Sequence, residues 1–402
     1  MVHANRILIV ISSLAGGGAE RVAADLGRYL LDRGRHVMML TLTGDQPDHY
    51  YIPAEIRRER IETRHVAPSS LHRARLAFAR LLTLRRKILA LDPDMVVSFV
   101  DQTNVRTILS LLGSRVPVIV SERVHPGQNP LSPLWQFARR TTYPLASAVT
   151  VQTDDGADWF RRFTRVKGAV VIPNATRFDC DVQAAAGAQP PATPRPLILG
   201  MGRLAAQKGF DLLVQAFGRS GLAEAGWRLA ILGEGPERKV LEGQAITLGL
   251  AGSVSLPGYV RDVGSWLRCA DMFVLSSRFE GFPNALLEAM QVGVPSISFD
   301  CRSGPRELIQ HGVNGCLVRP GDVDALADQM RLLGLDSGLR ARLGAEATTV
   351  NETFSPARIY SRWLDLIDTV AAGEFDKGNA PSSVAQQSAG RSRLRGQRGA
   401  DS

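Results

Sequence analysis

Two glutamates, Glu280 and Glu288, stand eight positions apart in the stretch SSRFEGFPNALLEAM (276–290), with Gly281, Pro283 and Asn284 between them. Pro283 or Asn284 opens a helix, because proline fits a first helical turn and asparagine caps free backbone amides. The spacing predicts Glu280 in the loop before that helix and Glu288 in its second turn. Between them lies a helix start whose amides and dipole suit an anion. In the same half, LGMGRLAAQKG puts Arg203 and Lys208 just past an apolar run, and LGEGP puts Gly233, Glu234 and Gly235 past the next. A guanidinium can fork onto two phosphate oxygens while an ammonium acts as a mobile point charge. The convergence is that of a nucleoside-diphosphate site. Taken singly, each cation reads better as a solvated surface charge, and the glutamates have a plainer reading as one partner for the helix dipole and one solvent-facing residue. That plainer account leaves Gly281 and Phe282 unexplained.

These residues need strands to carry them. Residues 6–13 form a continuous apolar run, followed by Gly16, Gly17 and Gly18, a segment with Val22, Leu26, Tyr29 and Leu30 at helical spacing, and a second run from His36 to Leu42. Further runs at 95–100 and 116–121 are separated by helical patterns. Continuous hydrophobicity is expected of parallel strands covered on both faces. The pattern restarts after residue 190 with RPLILGMGRL, WRLAILGEG, SVSLPGYV, DMFVLSS and VPSISF. The fold class is therefore α/β, with two doubly wound Rossmann-like domains facing a central cleft. We place the first domain at 1–175, a proline-rich linker at 176–196 and the second domain at 197–353. A final amphipathic helix at 354–372 then carries Ile359, Trp363, Leu366 and Ile367 on one side, packing back toward the first domain. The Ser-, Gln-, Gly- and Arg-rich tail 376–402 is expected to be disordered.

The net charge of +9 is unevenly divided: residues 1–175 hold 24 Lys and Arg against 15 Asp and Glu, so the whole excess lies in the first half. Such a field suits an anionic partner, whether a phosphorylated acceptor, an acidic membrane or a nucleic acid, and fits equally a surface that is simply arginine-rich. Nucleic acid is set aside, since the few aromatics are not interleaved with the arginines. Cys180, Cys269, Cys301 and Cys316 show no close metal-ligand spacing, which agrees with a reducing cytoplasm. No apolar run approaches the ~20 residues needed to span a bilayer. Asp92-Pro93-Asp94 is read as a polar turn into a strand, and no metal is assigned.

The stretch 70–94 is helical in pattern, with Leu71, Phe78, Leu82 and Leu89 on one stripe, Arg73, Arg80 and Lys87 on the opposite one, and Arg75 and Arg86 flanking the apolar side. Such a helix can lie on an acidic leaflet or grip a polyprenyl diphosphate. It can equally be an ordinary surface helix. Gly16, Gly17 and Gly18 let the backbone approach a ligand at the first helix N-terminus, although the run is not G-x-G-x-x-G.

GRLAAQKG, LGEGP, LPGYV and FEGFPNALLEAM, in that order, resemble the nucleotide-sugar domain of retaining GT-B glycosyltransferases of the large fourth family, and the glutamate pair matches that family's E-x7-E motif. SSLAGGGAERVAADLGRYL and VSERVHP are similar to the branch that builds lipid-linked oligosaccharides and exopolysaccharides. The likeness implies that Glu280 faces the transferred sugar and Glu288 the ribose hydroxyls. Amides near Asn284, Ala285 and Leu286, beside Phe282 and Pro283, would meet the diphosphate, and Arg203, Lys208, Gly233 and Glu234 complete the donor set. The glycine loop would lie near phosphate or acceptor. Many relatives carry a histidine where this chain has Glu122 and Arg123, so those two residues are the candidates for lining the sugar pocket, and His125 is read as a loop residue. The implied activity is hexosyl or N-acetylhexosaminyl transfer, from a nucleotide sugar expected to be UDP-linked, to a polyprenyl-diphosphate-linked glycan. No cofactor is expected, and the setting is the inner face of a membrane. A GT-B epimerase and a non-catalytic sugar-phosphate binding protein are the alternatives.

Overall fold

The computed structural model describes residues 3–15, 17–43, 48, 50–61, 70–128, 131–177, 196–260 and 262–376. The chain divides into two compact units, Met1–Asn174 with Ala357–Ser402, and Ala175–Pro356.

In the first unit seven strands run parallel: β1 (Arg6–Ile11), β2 (His36–Thr41), β3 (Arg57–Arg60), β4 (Met95–Phe99), β5 (Val118–Ser121), β6 (Ala148–Val151) and β7 (Val170–Val171). Their order is β3-β2-β1-β4-β5-β6-β7. Ile7 to Ile11 are fully buried because both faces of the sheet are covered. On one face the helices Ser70–Ala90, Asp101–Ser110 and Asp154–Phe163 contribute Leu84, Ile88, Val105, Ile108, Trp159 and Phe160 to a core with Leu8, Val10, Val96 and Val120. The final helix, Pro356–Ala371, places Ile359, Trp363 and Ile367 in the interior. Trp363 packs on Phe99 at 5.8 Å, and Asp368 accepts two bonds from Arg35, at 2.7 and 3.1 Å.

The second unit has β8 (Leu197–Met201), β9 (Arg228–Leu232), β10 (Val254–Gly258), β11 (Met272–Leu275), β12 (Ser296–Phe299) and β13 (Cys316–Val318), all parallel, in the order β10-β9-β8-β11-β12-β13. Each sheet grows outward in both directions from its first strand. The order therefore reverses between β1 and β4, and again between β8 and β11, and at such points the strands' carboxyl ends leave room for a ligand.

Strands β3, β6, β7 and β13 escape the sequence reading. β3 reads RRER, with no apolar alternation, and sits at the sheet edge, where charge discourages further pairing. The last two are three residues long or shorter. Of the linker and tail expectations, 178–195 and 377–402 lie outside the described residues.

Candidate functional site

The reversal point of the second sheet brings two loops together. The β8 loop runs from Gly202 to Gly209 and the β11 loop from Ser276 to Pro283. Ser276 Oγ donates to Lys208 O (3.0 Å), the Arg278 amide to Gln207 O (2.8 Å) and Gln207 Nε2 to Phe279 O (3.0 Å). Arg278 also binds Ala206 O (2.6 Å) and both oxygens of Asp211 (2.8 and 2.7 Å), and this hydrogen bonding holds the Asp211 carboxyl below its ordinary range. Gly209 has φ +60, and a Cβ there would overlap the Ser276 carbonyl. Only glycine lets the loops meet this closely.

On this platform Lys208 Nζ lies 2.5 Å from Glu280 Oε1, and Ser277 Oγ donates to the same oxygen at 2.6 Å. Glu280 is 5% exposed. A buried carboxylate with two donors on one oxygen is fixed in direction. Cys301, beside it, has its thiol pushed up to about 12 by burial, with the Glu280 charge adding to the effect.

The helix begins at Asn284 and runs to Gln291, where the sequence reading starts it, but Pro283 stands at the cap position and Asn284 is the first helical residue, so the asparagine does not act as the cap. Its first internal bond joins the Leu287 amide to Pro283 O (3.1 Å); before it the Asn284 amide donates to the Phe282 carbonyl (3.0 Å), and the amides of Ala285 and Leu286 precede the helical ladder. Glu288 lies in the second turn and is 9% exposed, which removes the solvent-facing account of this residue. Its Oε2 accepts from Arg177 at 3.3 Å.

Other expected donor residues take different places. Arg203 is exposed just past β8. Gly233, at φ +133, is pressed on the Gly202 carbonyl, and the Glu234 carbonyl accepts from the Leu204 amide (2.9 Å), tying the β8 and β9 loops together. The Glu234 carboxylate itself is gripped by Arg238 at 2.9 and 2.7 Å. Phe282 is buried against Phe354, with ring centroids 5.9 Å apart. Packing alone thus accounts for an aromatic at 282.

In the first unit, Gly16 lies outside the described residues. The Gly17 carbonyl accepts the Arg21 amide (3.1 Å), opening the helix Gly18–Asp32, and also Tyr50 Oη (3.0 Å). Glu122 and Arg123 follow β5, but both side chains turn inward. Tyr143 Oη donates to Glu122 Oε2 (2.8 Å), Arg139 lies 3.7 Å away, and Asn104 Nδ2 donates to Tyr143 Oη (3.0 Å). Burial raises the Glu122 carboxyl to about 7. Arg123 donates to Asn174 Oδ1 and, at 3.4 Å, to Ser121 Oγ, and burial lowers its guanidinium to about 10. The expectation that these side chains line a sugar pocket gives way to an interior polar network within this unit. Composition and spacing hold no signal for it, because Asn104, Arg139, Tyr143 and Asn174 are distant in the chain. His125 is indeed in a loop, its Nε2 2.9 Å from Asp155 and its Nδ1 accepting the Gly127 amide (3.2 Å).

The basic helix Ser70–Ala90 packs through Leu84 and Ile88, while Phe78, Leu82 and Leu89 face outward at 63%, 38% and 40% exposure. Arg80 is exposed; the Arg73 side chain lies outside the described residues. Lys87 is 2.7 Å from Glu59, so the basic stripe is partly neutralised. Asp92 meets Arg6 at 2.6 Å, and Asp94 accepts the Asn5 and Arg6 amides (3.0 and 2.8 Å), which gives the Asp-Pro-Asp turn a structural role. Among the described residues no group of three His, Cys, Asp or Glu could hold a metal ion, and no helix is long and apolar enough to cross a membrane.

Two family models match the chain, "Glycosyltransferase Family 4" over residues 16–179 and "Glycosyl transferases group 1" over 183–350. One relative, 27% identical over 91% of this chain and 99% of its own length, is the GalNAc-alpha-(1->4)-GalNAc-alpha-(1->3)-diNAcBac-PP-undecaprenol alpha-1,4-N-acetyl-D-galactosaminyltransferase of Campylobacter jejuni. The amylovoran biosynthesis glycosyltransferase AmsD of Erwinia amylovora is 24% identical over 90% of this chain and 99% of its own. Among solved structures, Anabaena Alr3699/HepE in complex with UDP and glucose superposes with a TM-score of 0.72 at 20% identity, covering 91% of this chain and 99% of that one.

Proposed function

The chain belongs to the group 1 glycosyltransferases, with a family 4 N-terminal half, and from that membership we propose that it moves a hexose or N-acetylhexosamine from a UDP-sugar to a lipid-diphosphate-linked glycan precursor, with retention of configuration. The observation that carries the donor side is the pair Glu280 and Glu288, both nearly buried, set before and within a helix whose first amides precede its ladder. Glu280 faces the sugar, Glu288 takes the ribose hydroxyls, and the diphosphate lies beside Asn284 on the amides of Ala285 and Leu286. The Anabaena neighbour binds UDP, which supports the choice of base. The Campylobacter relative's undecaprenyl-diphosphate substrate supports the lipid carrier.

In this reading catalysis is chiefly positioning and charge stabilisation. Arg203 and Lys208 meet the negative charge that grows on the departing diphosphate, whose oxygen in turn takes the acceptor's proton on the face where the new bond forms. We assign that charge to these protein groups and to no metal. The acceptor is placed with the first unit, whose excess positive charge suits a lipid diphosphate.

We further place the enzyme peripherally on the cytoplasmic leaflet. The outward row Phe78, Leu82 and Leu89 with Arg75, Arg80 and Arg86, and the exposed Leu134, Phe137 and Arg140 of the helix Pro133–Thr142, support an interfacial face. The deciding experiment follows UDP release from a panel of UDP-sugars with and without a prenyl-diphosphate glycan. Release should require the acceptor and vanish in Glu280→Gln while UDP binding persists. Equal release without acceptor, or full turnover by Glu280→Gln, refutes the proposal.

A further inference from the structure

Glu288 is held from outside its helix. Gln291 lies three positions on, hence on the same side of the helix, and its side-chain amide grips both backbone groups of one residue. The Arg177 amide donates to Gln291 Oε1 at 3.0 Å, and Gln291 Nε2 donates to Arg177 O at 3.1 Å. This reproduces with a side chain the paired bonds that a neighbouring strand would make. Asn351 Nδ2 in turn donates to the Gln291 carbonyl at 2.9 Å, and Gln291 is itself buried. The clamped backbone leaves the Arg177 guanidinium within 3.3 Å of Glu288 Oε2. Arg177 is bound twice to one helix face, once through its backbone and once through its charge.

We propose that Arg177 is a positioning residue of the donor site, which orients the Glu288 carboxylate toward the ribose hydroxyls, and that Gln291 sets Arg177 for this task. The inference rests on the reading of Glu288 as the ribose acceptor. An ionised carboxylate accepts hydrogen bonds only. One oxygen occupied by a guanidinium fixes the plane of the other, so two vicinal hydroxyls meet an acceptor already aimed. The guanidinium also supplies a hydrogen-bond partner to a carboxylate that is only 9% exposed.

The test is calorimetric titration of the full chain with UDP and with 2′-deoxy-UDP. The wild type should prefer UDP. Arg177→Ala should weaken UDP by about tenfold while changing the deoxy ligand little, so the ratio between them collapses. Gln291→Ala should shift the ratio the same way by less, and Arg177→Lys should recover part of it; thermal melts confirm that each variant is folded. Equal loss of both ligands, or an unchanged ratio in Arg177→Ala, overturns the inference and leaves the ribose role of Glu288 standing. A wild type that binds both ligands alike removes the ribose role itself, and the inference falls with it.

Discussion

Glu122 offers the sharpest quantitative prediction. Its carboxyl is raised from 4.5 to about 7, chiefly by burial, with the nearby Asp101 charge adding and Arg139 and the Tyr143 hydroxyl opposing. The folded chain therefore binds a proton that the unfolded chain has released throughout that interval. Stability is fully present below pH 4.5, falls across the interval and is lost as pH rises through about 7, because the native state must then either hold a buried carboxylate or keep a proton that the unfolded chain has released. At ~1.4 kcal/mol for each pH unit of displacement, the loss amounts to about 3 kcal/mol. Glu122→Gln keeps the shape and an acceptor for Tyr143 but cannot ionise. It should be near wild type at about pH 4 and gain ~3 kcal/mol relative to it by about pH 8. Native-state hydrogen exchange at the Val120 and Val149 amides of β5 and β6 reads the opening free energy of this unit directly. A difference between the two proteins that does not change with pH, or that changes in the wild type's favour, would refute the reasoning.

Three further outcomes follow from the second unit. Arg203→Ala should weaken nucleotide-sugar binding by roughly ten- to a hundredfold in calorimetry, the worth of one charge-assisted bond of ~1.5–3 kcal/mol. Lys208→Met, which strands the Glu280 carboxylate at 5% exposure, should destabilise this unit by ~3 kcal/mol in denaturant unfolding. Adding Glu280→Gln should recover about 2 kcal/mol of that loss, whereas strictly additive effects would show that the pair is not coupled. Gly209→Ala forces a Cβ onto the Ser276 carbonyl at φ +60 and should cost at least ~2 kcal/mol and loosen Lys208; a melting temperature within a degree or so of wild type would contradict the close approach.

The alternation of apolar runs and helical patterns was enough to read two parallel α/β sheets, because a strand covered on both faces must be apolar throughout, as Ile7 to Ile11 are. It was also enough for the start of the helix at Asn284 and the places of Glu280 and Glu288 around it, since a proline restricts the residues next to it, although Asn284 opens the helix without capping it. The polar edge strand β3 carried no such mark.

Direction was another matter. Helical spacing put Phe78, Leu82 and Leu89 on one stripe, yet the sheet took Leu84 and Ile88 and left that stripe outside. Glu122 stood at a strand end where ligands gather, but Tyr143, 21 positions away, and Arg139 drew it inward. Arg177 and Glu288 are separated by 111 positions. Pattern along a chain reports which surfaces want burial, whereas the partner of a charge is chosen by how distant segments close-pack, and that choice exists only in the folded molecule.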